Sequence, residues 1–245
     1  MTAIDAKIQK RRVWAWALWD WAEQPFPTLF QTFIFATYIT SSYFGDPDEN
    51  AQKLSVAGLI AGLLVAVISP VFGRRSDEAG KRKFWLVTNT YLLVAIMLAS
   101  FFVEPKREFL LFGLVLYAVG SVVQESAFIN YYAMLKGVTT EKNIGKVSGF
   151  AWGLGYAGGI ILLLISLVGF IKADVPWFGI GTENAVNVRA VFVFSAIWTL
   201  VFSIPLLLRV PESEKKSGEA PSIIDSYKAL LKQLGSLRRQ APETF

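Results

Sequence analysis

Five stretches of this chain run for about 20 residues without a charged side chain: Gln24–Gly45, Leu54–Gly73, Phe84–Val103, Val147–Ile171 and Ala190–Leu208. A sixth, Phe109–Leu135, is interrupted only by Glu125. That length crosses the hydrocarbon core of a bilayer as a helix. It exceeds what a soluble core helix or a strand calls for. The connections are short and polar. Pro stands in Asp46-Pro47-Asp48 and Glu104-Pro105-Lys106, and Gly80 sits in a basic turn. The expectation is an all-α membrane protein with six transmembrane helices, spans one to six, at approximately 13–45, 54–73, 84–103, 109–135, 147–171 and 189–208. Residues 1–12 form a flank before them and 209–245 a linker after them.

Composition excludes most other classes. At 53% apolar and 18% charged, the chain is neither disordered nor an ordinary soluble enzyme. It has no Cys and no His, which removes thiolate chemistry, the commonest general base and the commonest metal ligand. No phosphate-binding Gly-x4-Gly-Lys loop occurs. No catalytic residue, metal or cofactor is expected.

Orientation follows from Lys and Arg placement. Of the 24 basic residues, 19 fall in 1–12, 74–83, 136–146 and 209–245. The opposite side holds Lys53, Lys106, Arg107, Lys172 and Arg189. Both termini are therefore expected in the cytoplasm, with the plasma membrane as the site. The net charge of +5 reads as a topology signal and a contact with anionic headgroups. Basic residues spread over four loops do not suit nucleic acid. Lys7, Lys10, Arg11 and Arg12 before an apolar run imitate a signal peptide, but Asp20, Glu23 and the length of the run favour a retained helix. Trp14, Trp16, Trp19 and Trp21 are expected as an interfacial belt.

Ionisable and amide groups inside the spans mark candidate function. Span one carries Asp20, Glu23, Gln24 and Gln31; on a regular helix Asp20, Gln24 and Gln31 fall within about 40° of one another. Pro25 and Pro27 remove two backbone donors there. Two readings stand: a cavity stripe, or Asp20 and Glu23 at headgroup level. Span four carries Gln124, Glu125 and Asn130, with Glu125 read as the only ionisable side chain near the midplane of the six spans; Ser121, Glu125, Phe128 and Tyr132 share a face. Glu125 is either a neutral structural carboxyl or a proton or solute site. These groups select spans one and four as the cavity pair.

Glycine selects another pair. Gly58 and Gly62 in span two, and Gly149, Gly153, Gly155, Gly158 and Gly159 in span five, allow close helix approach, either as static packing or as a sliding interface. Arg189 is expected to snorkel at the start of span six. Ser222–Leu237 is amphipathic and reads as a linker helix or a tail on the inner leaflet.

The loop from Gly73 through Asp77 and Gly80 to Arg82 and Lys83 is similar to the signature loop of the major facilitator superfamily, departing at Arg74 and Arg75. Three further segments resemble its vacuole-effluxer-like branch, also called the unknown major facilitator family: Trp16–Ala22, Phe128–Leu135, and Gly149–Gly159 with Tyr156 in a Gly-x-Gly-Tyr-x-Gly-Gly run. Glu23-Gln24 replaces the usual Asn-Ser after the first of these. The resemblance implies the N-terminal six-helix half of a twelve-helix fold, with spans one and four at the cavity, two and five at the interface between halves, and a gating role for Gly73, Asp77, Gly80, Arg82 and Lys83.

The function expected is alternating-access transport of a small polar, amino acid-like solute driven by protons, with the bilayer, the solute and a C-terminal half or second copy as partners. The alternative is a six-helix membrane scaffold or truncated product that binds a membrane partner.

Overall fold

The computed structural model describes the backbone of residues 3–173 and 176–212 and of positions 224, 227, 228, 232 and 236; side chains are described from residue 9 onward, except at 70–72, 74–75 and 77–78. Every long element is a helix: α1 (Ala3–Glu23), α2 (Phe35–Ile39), α3 (Pro47–Glu78), α4 (Arg82–Ser100), α5 (Leu110–Val138), α6 (Ile144–Ser166) and α7 (Val186–Arg209). Among the described residues, five helical segments are long and apolar enough to cross a membrane: Pro47–Ser69, Arg82–Ser100, Arg107–Val138, Glu141–Ile171 and Glu183–Arg209.

Span one is composite. A π-helical segment, Pro25–Phe33, joins α1 to α2, and a 3-10 turn at Ser42–Phe44 ends the span. The prolines are the cause. In a regular helix the N–H of residue 25 would bond the carbonyl of Trp21, and Pro has none to give. The indole of Trp198 in α7 donates to that carbonyl instead, at 3.1 Å. The wider turn is closed by Ile34 N–H donating to Leu29 O at 2.8 Å, five residues back.

The packing has an internal symmetry. α5 packs against α3 and α4, and α1 packs against α6 and α7. Exchanging spans one, two and three for four, five and six turns the first set of contacts into the second. It turns the α4–α7 contact into itself. Three spans are an odd number, so the second triplet crosses in the opposite sense, the arrangement of an inverted repeat.

The core divides into two apolar clusters. One gathers Phe26, Phe30, Phe35, Tyr38, Leu93, Met97 and Phe192, the other Trp16, Trp19, Leu86, Tyr131, Met134 and Leu206. Between them runs a waist of buried polar side chains: Asp20 and Glu23 on α1, Asn89 and Thr90 on α4, Ser121 and Gln124 on α5, Thr199 and Ser203 on α7. Thr90 and Gln124 stand near the midpoints of their helices, as does Trp198 where it meets span one. The waist therefore lies near the middle of the bundle.

Several expectations change here. Trp16 and Trp19 are fully buried rather than interfacial, Trp16 stacking on Tyr131 at 4.2 Å. Their helix starts well before the uncharged run begins. The signature loop is mostly helix: α3 continues to Glu78, and the turn contracts to residues 79–81, where Gly80 has φ +61°. Arg189 is buried rather than snorkelling. Its Nε donates to Phe101 O at 2.5 Å and its guanidinium lies 4.7 Å over the Phe101 ring, closing the end of α4. Most of the amphipathic stretch Ser222–Leu237 lies outside the described residues; Tyr227 within it donates its hydroxyl to Val67 O.

Candidate functional site: a buried carboxyl pair beside an open cleft

Asp20 and Glu23 are 2% and 1% exposed. Their positions follow from the break in span one, since both occupy the last turn of α1 immediately before the π-helical segment. Gln124 Nε2 donates to Glu23 Oε2 at 3.0 Å across spans one and four. Gln24 hydrogen bonds the Asp20 side chain from one turn on. Asp20 Oδ2 and Glu23 Oε1 have no hydrogen-bond partner among the described residues, and neither does the buried hydroxyl of Tyr131. No basic side chain pairs with either carboxyl among those residues. Two acids three residues apart, in a layer between apolar clusters, have no counter-charge among the described residues. Such groups are costly in a membrane unless a proton, cation or polar solute meets them.

Glycine makes room for the pair. A Cβ on Gly155 would stand 2.8 Å from Asp20 Oδ1; one on Gly158, 2.8 Å from the Trp21 ring; and one on Gly159, 2.8 Å from Thr28 Oγ1. These three glycines bring span five onto span one within the chain, which corrects their expected place at an interface between halves. Gly62, Gly149 and Gly153 have nothing within 4 Å, and Gly58 has only Tyr117 at 3.9 Å. Those four keep an outward face.

A cleft of about 460 Å³ opens beside the pair. Asp20, Glu23, Gln24 and Thr28 line its polar side, and Phe33, Phe128, Trp152 and Tyr156 its aromatic side. Among the described residues no Lys or Arg lines it. Trp152 and Tyr156 meet edge to face at 5.4 Å and are largely exposed.

The other expected cavity residues distribute differently. Gln31 does not share the face of Asp20 and Gln24. Its Nε2 donates to Ser121 Oγ at 3.0 Å, because the π-helical turns rotate it away from span five towards span four. Glu125 is exposed, and it is not alone at mid-level, since Asp20 and Glu23 lie there too. Asn130 is buried and donates to Ser126 O on its own helix at 2.8 Å. Tyr132 is part-exposed and stacks on Phe128 at 5.5 Å. The side-chain oxygen of Gln24, Oε1, accepts from Thr28 Oγ1 at 3.0 Å.

Around the turn between α3 and α4, Gly73 comes close to span four: a Cβ there would meet Ile129 at 3.2 Å. Arg82 donates to Ala133 O at the end of span four. The Asp77 side chain lies outside the described residues. Glu212, which sequence reasoning missed, accepts from the backbone N–H groups of Lys83 at 2.7 Å and Phe84 at 3.0 Å. A carboxylate at a helix N-terminus is favoured by the helix dipole. This one ties the end of span six to the start of span three. The available signal was an acid just beyond the last apolar run.

The sequence model of the Major Facilitator Superfamily matches residues 26–242. The chain belongs to that superfamily. The chain is 26% identical over 229 residues to a protein described as "Uncharacterized MFS-type transporter YxiO" from Bacillus subtilis (strain 168), an alignment covering 92% of this chain and 52% of that one. It thus spans about half the length of that relative. No solved structure matches. The six-span bundle is one half of a major facilitator fold in a multi-pass membrane protein, and solute transport is the function of the family.

Proposed function

We propose that the chain is the N-terminal half of a secondary active transporter that moves a small polar, amino acid-like solute by alternating access, coupled to protons. The observation that carries this reading is the Asp20–Glu23 pair, buried at mid-level without a counter-cation among the described residues and bordering a cleft. A proton relieves the repulsion between two acids in a poorly solvated layer. So does the ammonium group of a solute, which the faces of Trp152 and Tyr156 also favour. Competition between the two for one site is a physical basis for coupling. Glu125, exposed one residue beyond Gln124, is a second proton acceptor on the same level.

The outward glycines Gly62, Gly149 and Gly153 are sites for close approach by a further six helices, from a C-terminal half or a second copy. The arms of the turn at Gly80, with Arg82 and Glu212, act as the gate on the cytoplasmic side. Both termini face the cytoplasm, and the membrane is the plasma membrane.

The test is uptake by the full-length protein in proteoliposomes, with a panel of amino acids and an imposed pH gradient. Uptake that follows the gradient and stops with a protonophore is the expected result. Uptake indifferent to the gradient would refute proton coupling.

A further inference from the structure

A second cavity, of about 410 Å³, opens at the other end of the bundle from Phe44, among the start of α1, the end of α5 and the start of α6. Its lining includes Lys10 and Lys146, the amide side chains of Gln9 and Asn143, and the rings of Trp14 and Phe150. Among the described residues no carboxylate lines it. Among the described residues neither lysine has a salt-bridge partner. The pocket is therefore cationic and amide-rich with an aromatic wall, Trp14 and Phe150 meeting edge to face at 4.8 Å.

Its depth in the membrane follows from the waist. Lys10 precedes Glu23 by 13 residues, and Lys146 precedes Gly158, which meets Trp21, by 12. At 1.5 Å per residue these are ~20 and ~18 Å from mid-level. The hydrocarbon half-thickness is ~15 Å and the headgroup layer extends to ~20–22 Å. Both ammonium-bearing residues thus stand in the phosphate layer, while Trp14 and Phe150 lie one turn nearer the hydrocarbon. The start of α6 adds the positive end of its dipole to the same pocket.

We infer that this pocket binds the phosphate of an anionic phospholipid in the leaflet facing the chain's N-terminus, with Lys10 and Lys146 on the headgroup and Trp14 and Phe150 against the glycerol and the first methylenes. The site is distinct from the carboxyl pair and does not depend on the transport reading. The chemistry shared with other sources is a phosphate anion; the depth and the aromatic wall select a lipid.

Native mass spectrometry of the full-length protein in detergent with equal phosphatidylglycerol and phosphatidylcholine tests it. One phosphatidylglycerol is expected to be retained in preference to phosphatidylcholine. Lys10→Gln with Lys146→Gln should weaken that retention about thirtyfold, from the contribution of two lysines near a charged surface. Lys10→Arg with Lys146→Arg should keep it, which separates lost binding from lost folding. Lys136→Gln with Lys142→Gln, exposed lysines outside the pocket, should leave it unchanged. Wild-type retention by the first variant, or an equal loss in the last, would overturn the site. Displacement of phosphatidylglycerol by inorganic phosphate in millimolar excess would overturn the lipid assignment in favour of a soluble phosphate.

Discussion

Glu23 and Gln124, 101 positions apart, meet at 3.0 Å where spans one and four cross at the middle of the bundle. Only one oxygen of the carboxylate is used; the other is buried and has no partner among the described residues. The bundle is thus held across its centre by a group that is itself incompletely satisfied. Such a group is suited to gaining and losing a ligand, whereas a fully bonded one would hold a single state.

The two kinds of glycine on span five separate packing within the chain from packing beyond it. Gly158→Val should cost about 1–3 kcal/mol through overpacking against Trp21. The lowered unfolding midpoint in detergent is the measurement. Gly153→Val, with nothing within 4 Å, should leave that midpoint unchanged and impair transport by the full-length protein. Equal midpoints for the two variants would contradict the assignment.

From span six, Arg189 donates to the carbonyl of Phe101 near the end of span three. Arg189→Gln removes a charged donor from a buried site, at a cost of about 1.5–3 kcal/mol. An exposed, snorkelling arginine would leave stability nearly unchanged, so thermal unfolding distinguishes the two placements.

Glu212→Gln removes a negative charge from the start of α4. The loss expected is about 0.3–1 kcal/mol in stability, with a larger effect on transport if this contact opens during the cycle. Transport assayed alongside unfolding reads both; wild-type values in each would confine Glu212 to a passive surface role.

The spans were legible because an uncharged run of bilayer length has few other uses. The internal symmetry was not, since inverted triplets share contacts rather than residues. Charge placement misled at span one. The uncharged run begins at Gln24, so Asp20 and Glu23 fell at its edge and the tryptophans before them resembled a belt. In the molecule the helix starts much earlier, and the break at Pro25 and Pro27 stands near its middle. The π-helical turns then separated Gln31 from the stripe that a regular helix predicts. Arg189 and Glu212 escaped for a different reason: their partners are backbone groups on span three, 88 and about 129 positions away, and carry no signature in composition.

Topology is open to direct labelling because the chain has no Cys. A cysteine at exposed Asp48 should react with an impermeant maleimide in intact cells, and one at exposed Lys142 only after permeabilisation. The expectation rests on the uneven distribution of Lys and Arg. The reverse pattern would invert both termini.

Proton coupling through the carboxyl pair is the central claim, and Glu23→Gln tests it most directly. The amide preserves size and can still meet Gln124, so the bundle should fold, but it cannot release a proton. Accumulation against a gradient and counterflow exchange are to be measured side by side, in proteoliposomes across a range of pH, with Glu125→Gln in parallel. The account predicts that Glu23→Gln loses accumulation and its pH dependence while retaining exchange, and that Glu125→Gln is affected less. Unchanged accumulation and unchanged pH dependence in Glu23→Gln would contradict it.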